Sequence, residues 1–209
     1  MAYLVKELFL TLQGEGVQAG RRAVFVRFSG CNLWSGREED RSSAICQFCD
    51  TDFLGTDGAG GGRYDTPSML VHQILETWGG AGARPFVVFT GGEPLLQLDE
   101  ALIATVKAQN IEVAVESNGT IKAPAGIDWL CISPKAGSEL IQTKGDELKL
   151  VWPQPIDPQG LLGLEFDHWR LQPKDGPDYG ENLNHTLRYC LEHPPWRLSL
   201  QQHKICGLP

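Results

Sequence analysis

The sequence predicts an α/β fold built on a mostly parallel sheet. Three observations carry that expectation. Apolar, β-rich runs recur from one end of the chain to the other, amphipathic helical stretches separate several of them, and nearly every run ends in a polar cluster bearing Gly or Pro. Runs that are apolar nearly throughout suit strands buried on both faces, and strands alternating with helices or tight crossovers pair in parallel.

In chain order, YLVKELFLTL (3–12) reads as an extra edge strand or hairpin arm, and AVFVRF (23–28) as the first core strand. GTDGAGGG (55–62) reads as a flexible surface loop by composition. Thr66-Pro67 supplies an N-cap and first-turn proline for a helix. Its apolar stripe is Leu70, Val71, Ile74, Leu75 and Trp78, stopped by Gly79-Gly80. FVVF (86–89) is the next strand, and Asp99 caps a second helix with Leu102, Ile103 and Val106 facing in. VAVE (113–116), WLCIS (129–133), LKLVW (148–152) and WRLQ (169–172) continue the sheet. Helix signals are thin over 119–168, where Pro153, Pro155 and Pro158 break the chain. Asn182 is expected to cap a third helix, with Leu183, Leu187, Cys190 and Leu191 on one face, before a last strand, WRLSLQ (196–201). No composition shift marks a boundary, so one domain over 1–209 is expected.

The 209 residues suffice to bury a core, and the net charge of −8 with pI about 5.1 comes without any basic run. Nucleic acid is therefore not an expected partner. The N-terminus lacks a basic region and a long apolar stretch, Glu7 interrupts it, and no segment has the length of a membrane span. A cytoplasmic chain without membrane association is expected, and its six cysteines do not read as a disulfide framework. The sequon at Asn118 is then an accidental match.

The polar clusters follow the strand runs in register. They are Ser29-Gly30-Cys31, Thr90-Gly91-Gly92-Glu93-Pro94, Glu116-Ser117-Asn118-Gly119, Ser133-Pro134-Lys135, Gln172-Pro173-Lys174-Asp175 and Gln201-Gln202-His203-Lys204. In a parallel barrel or open α/β sheet these ends share one rim, where ligands bind. Any one cluster is explained by ordinary turn chemistry; six in register point to a site.

Cys31, Cys46 and Cys49 stand in the first of these loops, Cys46 and Cys49 as a CxxC. Three thiols are one short of a structural zinc site, though a catalytic zinc with an open position remains compatible. They equally suit an iron–sulfur cluster with one iron left open. Cys131 and Cys190 read as core packing, and Cys206 has no assignment.

A cysteine triad after one strand and TGGEP after the next is the layout of the radical S-adenosylmethionine enzymes. LQGEG (12–16), CDT (49–51), ESNG (116–119), SPK (133–135), QPKD (172–175) and the terminal HKICGLP extend the match over essentially the whole chain. Together they resemble the 7-carboxy-7-deazaguanine synthase family of queuosine and deazapurine biosynthesis. The superfamily's usual spacing is CxxxCxxC, whereas fourteen residues here separate Cys31 from Cys46. A subset of that family carries such an insertion, which makes 31–65 an inserted cluster-loop region.

The resemblance implies a partial, partly open parallel (β/α) barrel with reduced helices. It implies a [4Fe–4S] cluster on Cys31, Cys46 and Cys49 whose fourth iron is chelated by S-adenosylmethionine. That cofactor's contacts would come from Phe48, Cys49, Asp50, Gly92, Ser133, Pro134, Lys135, Gln172, Pro173, Lys174 and Asp175. The implied reaction converts 6-carboxy-5,6,7,8-tetrahydropterin to 7-carboxy-7-deazaguanine with loss of ammonia. The substrate pocket would comprise Leu12, Gln13, Gly14, Arg27, Thr90, Glu116, Asn118, His203 and the carboxylate of Pro209. Arg27 suits a carboxylate clamp, its plain alternative being a surface salt bridge. Thr51 would help hold Mg²⁺, with substrate supplying oxygens. A homodimer and a flavodoxin-like reductant are further implications. Two alternatives are a glycyl-radical activase, which shares TGGEP, and a zinc-binding interaction module. For the insertion, Trp34 and the charges from Arg37 to Arg41 suggest either a donor-docking patch or, preferably, a solvated loop.

Overall fold

The computed structural model describes residues 2–80 and 82–209. One nine-stranded sheet organises them, in the order β3-β1-β2-β4-β5-β6-β7-β8-β9. The strands are β1 (Tyr3–Leu12), β2 (Arg22–Phe28), β3 (Gly62–Tyr64), β4 (Phe86–Gly91), β5 (Glu112–Ser117), β6 (Trp129–Ile132), β7 (Lys144–Trp152), β8 (Glu165–Pro173) and β9 (Trp196–Leu198). From β2 onward each neighbouring pair is parallel, while β1 runs antiparallel to both β2 and β3. The 3–12 run is thus a hairpin arm, with β3 paired outside it. Among the described residues β3 and β9 do not pair, so the sheet stays open, as expected.

The helices are α1 (Pro67–Trp78), α2 (Glu100–Ala108), a short α3 (Pro158–Leu161), α4 (Tyr179–Glu192) and α5 (Gln202–Cys206). Thr66 and Asp99 cap α1 and α2 through their side chains, and the predicted apolar stripes face the core, buried except for the half-buried Leu75. The β5–β6 and β6–β7 connections carry no helix, matching the thin signals there. Along β7, Leu148 and Leu150 enter the helix-covered core while the intervening Lys149 points to the opposite face, as strand alternation requires.

Three expectations need correction. Asn182 does not cap α4; the helix starts a turn earlier, and Asn182 is buried within it, its Nδ2 donating to the Lys174 carbonyl at 2.9 Å. Asn182 and Thr186 form the buried face, whereas Leu187 and Leu191 are exposed. The last strand ends at Leu198; just beyond it Ser199 N–H still donates to Leu171 O, while its hydroxyl accepts from Gly16 N–H and donates to Gln172 Oε1. Finally, residues 55–62 are not a free loop. Leu8 N–H donates to Ala59 O and Gly58 N–H to Lys6 O, and a Cβ on Gly61 would collide with the Lys6 carbonyl. The glycines let this segment lie directly against β1.

The turn between β1 and β2 reaches across to the far strands. Gly16 N–H donates to Ser199 Oγ (2.9 Å), Val17 N–H to Glu147 Oε2 (3.0 Å), and Gln202 N–H to Gly14 O (2.8 Å). This bridge covers the inner face of the open sheet and gives the cavity a floor.

Candidate active site

A cavity of about 380 Å³ lies at the C-terminal ends of the parallel strands, and all six polar clusters contribute to its wall. Cys31, Cys46, Phe48, Cys49, Asp50 and Thr51 line it from the loop after β2. Thr90 and Gly92 follow β4, Glu116 and Asn118 come from β5, Ser133 and Lys135 from the end of β6, and Gln172, Pro173 and Asp175 from β8. Leu12, Gln13 and Gly14 arrive with the hairpin, Arg27 with β2, and His203 and Pro209 with the C-terminal segment. Two expected residues stand outside this wall. The Pro134 carbonyl accepts from Gln154 Nε2 (3.2 Å), and the Lys174 carbonyl accepts from Asn182. Both carry out backbone bonding that shapes the loops behind the cavity.

At the cysteine end one thiol is buried and two are half-buried. Cys46 is buried, and burial pushes the Cys31 and Cys49 thiols up. The Leu33 N–H points at Cys31 Sγ (3.4 Å), as an amide does toward a sulfur that is to carry charge. Lys135 lies behind the thiols, its own pKa lowered by burial despite the neighbouring Cys46 and Cys49. Among the described residues no three His, Cys, Asp or Glu side chains group around a single ion. Cys31, Cys46 and Cys49 share one cavity wall, and three thiolates suit an iron–sulfur cluster with one iron left open. Gly92 packs on the start of this loop: a Cβ there would run into the Gly30 carbonyl and stand 2.7 Å from Cys31 Cβ.

The insertion is not a solvated loop in its working parts. Trp34 is buried edge-on against Phe53 (5.5 Å between ring centroids), and the Arg41 guanidinium sits 4.1 Å over the Trp34 ring. Arg41 Nη1 then donates to the carbonyls of Gln47 (3.0 Å) and Cys49 (3.1 Å). The insertion thus braces the CxxC. Arg41→Ala removes the stack and both bonds and should destabilise the fold by about 2 kcal/mol, with protease cutting at 41–49 accelerated. An unchanged melting point and cleavage rate would refute the brace.

At the other end the floor is ionic. Lys149 Nζ lies 2.7 Å from both Glu15 Oε2 and Glu116 Oε2. Burial pushes Glu15 up, but Lys149, with Gln201 and Gln172 donating to it, outweighs this and holds the carboxyl at about 2. Gln13 Nε2 donates to Glu116 Oε1 (3.2 Å). Arg27 does form the salt bridge that was its plain reading, Nε to Glu7 Oε1 at 2.7 Å across the hairpin. Its two terminal nitrogens have no partner among the described residues, so the fork remains available to a carboxylate.

Sequence reasoning missed Lys149 and Glu15, and placed Glu93 and Lys204 in the rim clusters without giving either a role. Glu93 is fully buried; its Oε1 accepts from Leu95 N–H and Ser117 Oγ (both 2.9 Å) and its Oε2 from Asn118 N–H (2.8 Å), tying TGGEP to ESNG. Lys204 pairs with Asp50 and Asp175 at the cavity mouth. A charged residue inside an apolar run, as in LKLVW, was the available signal for Lys149.

No protein-family model matches the chain. It is 57% identical over 210 residues to a 7-carboxy-7-deazaguanine synthase of Caulobacter vibrioides, covering 100% of both. A protein of the same name from Bradyrhizobium diazoefficiens is 56% identical over 209 residues, again covering both chains entirely. Among solved structures, the crystal structure of QueE from Escherichia coli superposes with a TM-score of 0.72, spanning 97% of this chain and 95% of that one at 24% identity. That likeness carries the fold. Among the described residues no helix is long and apolar enough to cross a membrane.

Proposed function

The chain belongs to the 7-carboxy-7-deazaguanine synthase family, and from that membership we propose that it converts 6-carboxy-5,6,7,8-tetrahydropterin to 7-carboxy-7-deazaguanine with loss of ammonia. The observation that carries the reading to this chain is one cavity with two chemically distinct ends, three thiols at one and a polar floor with an unfilled arginine fork at the other. A [4Fe–4S] cluster and S-adenosylmethionine, when bound, supply the one-electron chemistry that removes hydrogen from the substrate.

The chain's own residues then do the following. Cys31, Cys46 and Cys49 would hold the cluster, and Gly92, with no side chain in the way, would let backbone approach the methionyl amino group of S-adenosylmethionine. Phe48, Asp50, Ser133, Lys135, Gln172, Pro173 and Asp175 surround the nucleoside and amino-acid portions of S-adenosylmethionine, with Pro134 and Lys174 shaping their loops. Arg27 clamps the substrate carboxylate. Glu116 accepts from the guanidine-like edge of the pterin, while Leu12, Gln13, Gly14, Thr90, Asn118, His203 and Pro209 enclose the ring. Burial lowers the pKa of His203 below its ordinary value, which favours a neutral imidazole at neutral pH. Thr51 contributes one oxygen to a Mg²⁺ whose other ligands come from substrate and water. A homodimer, a flavodoxin-type reductant and a cytoplasmic setting belong to the same reading.

The test is anaerobic reconstitution with iron and sulfide, then incubation with S-adenosylmethionine, reductant and carboxytetrahydropterin. Mass spectrometry should find the deazapurine with the wild-type chain and none with Cys49→Ala, whose iron content should also fall. A fully reconstituted wild type that leaves the pterin unchanged would sink the proposal.

A further inference from the structure

Lys149 sits at the centre of β7, its side chain 5% exposed, with its ammonium between two carboxylates from distant parts of the chain. Glu15 comes from the hairpin turn and Glu116 from β5. Each carboxylate's second oxygen is also engaged: Glu116 Oε1 by Gln13 Nε2 and Glu15 Oε1 by Gln201 Nε2 (3.0 Å). The group therefore carries a formal charge of −1 and faces the cavity. Burying a lysine is costly, and an apolar residue of similar volume commonly serves stability as well or better. An ion pair kept in the wall of a binding cavity is better explained by what it does to its partner. A glutamate side chain turns about three bonds; anchored at Oε2, it presents Oε1 in one direction only.

Resting on the function proposed above, we infer that Lys149 is a positioning residue for substrate. It holds Glu116 by one oxygen so that the other, beside Gln13, meets the hydrogen-donating amide and amino edge of the pterin. Lys149 itself touches neither the substrate nor the reacting atoms. The charged and titratable groups facing this ammonium from the surrounding elements are Glu15, Glu116, Cys131, Glu147, Lys135 and His203. Among them only Glu15 and Glu116 lie within ion-pair distance.

The experiment uses Lys149→Arg, Lys149→Met and the double variant Lys149→Met/Glu15→Gln. The double variant preserves the formal charge of the floor and protects against a misfolded single variant. Binding of 6-carboxypterin, the oxidised fluorescent analogue, is read by fluorescence titration on the reconstituted protein. Steady-state kinetics and 5′-deoxyadenosine release are read alongside. Lys149→Met should weaken pterin binding and raise KM by about thirtyfold, the low end for removing one partner of a buried charged pair. Lys149→Arg should recover most of that loss. The folded double variant should bind pterin as weakly as Lys149→Met while still releasing 5′-deoxyadenosine. Wild-type binding by the double variant would overturn the inference in favour of simple charge balance. Equal losses with arginine and methionine, tracking melting temperature, would overturn it in favour of a structural role. Failure of the wild type to make deazapurine, by contrast, defeats the functional reading itself.

Discussion

The substitution Gly92→Ala should lower turnover by about a hundredfold or more, the scale expected when catalytic parts are displaced by an ångström. The added methyl overlaps the Gly30 carbonyl oxygen and presses on Cys31 Cβ at 2.7 Å. Neither neighbour is the end of a flexible side chain. Glu93 N–H donates to the same Gly30 carbonyl at 3.0 Å, so the two strand ends are locked together at this point. Relieving the overlap requires the end of β4 or the start of the cysteine loop to shift, and either movement disturbs Cys31's place relative to Gly92. Iron bound per chain after reconstitution should fall together with activity, while circular dichroism stays that of a folded protein. Full iron loading and wild-type turnover would show that the close approach of β4 to the cysteine loop has no catalytic consequence.

Glu93→Ala should be the most destabilising of the single changes, at about 4 kcal/mol. Three donors lose their acceptor at once in a site without solvent: Leu95 N–H, Ser117 Oγ–H and Asn118 N–H. For a chain of this size that corresponds to a fall in melting temperature of about 10 °C. Glu93→Gln should cost less, because its oxygen can still serve Leu95 and Ser117 and only the Asn118 amide meets an NH₂ group. The ranking alanine worse than glutamine worse than wild type, read from thermal melts, checks the argument. Equal melting points for alanine and wild type would mean the three donors find other partners. Asn118 should also shift, since its side chain continues the network to Asn32 (Nδ2 to Oδ1, 3.0 Å). Glu93 therefore governs both the fold at the sheet centre and the placement of a cavity residue.

Much of the sheet was legible in sequence because a strand buried on both faces is apolar almost without interruption, and FVVF, buried at all four positions, is of that kind. The rim was legible for a related reason. Tight turns after parallel strands need Gly, Pro and short polar residues, and a site adds charge to them. α4 misled because two of its three leucines, Leu187 and Leu191, face outward. Cys190 does pack on the core, with Tyr189 beside it, but the fully buried positions are two hydrogen-bonded polar side chains, Asn182 and Thr186, satisfied by backbone carbonyls. Periodicity counts apolar residues and has no term for a polar residue whose partner is supplied by another segment. The insertion misled likewise: its Arg41 looks like one more surface charge until Trp34 and the Cys49 carbonyl are brought beneath it. The charge inside LKLVW marked Lys149 as unusual, but its role was not legible because both of its partners lie more than thirty positions away, a relation that only the strand order creates.

The bridge between the β1–β2 turn and the far strands has a consequence for how the molecule folds. Its hydrogen bonds join residues 183 apart (Gly16 and Ser199) and 130 apart (Val17 and Glu147). Such contacts close the longest loops the chain can make, and that entropy must be met before they return any stability. The β2–β4–β5 centre, joined by shorter crossovers, can form before them. The cavity floor is therefore late in the order of assembly. A chain caught before that step already holds native parallel pairing and a cysteine loop, but not the closed wall that tells one small molecule from another.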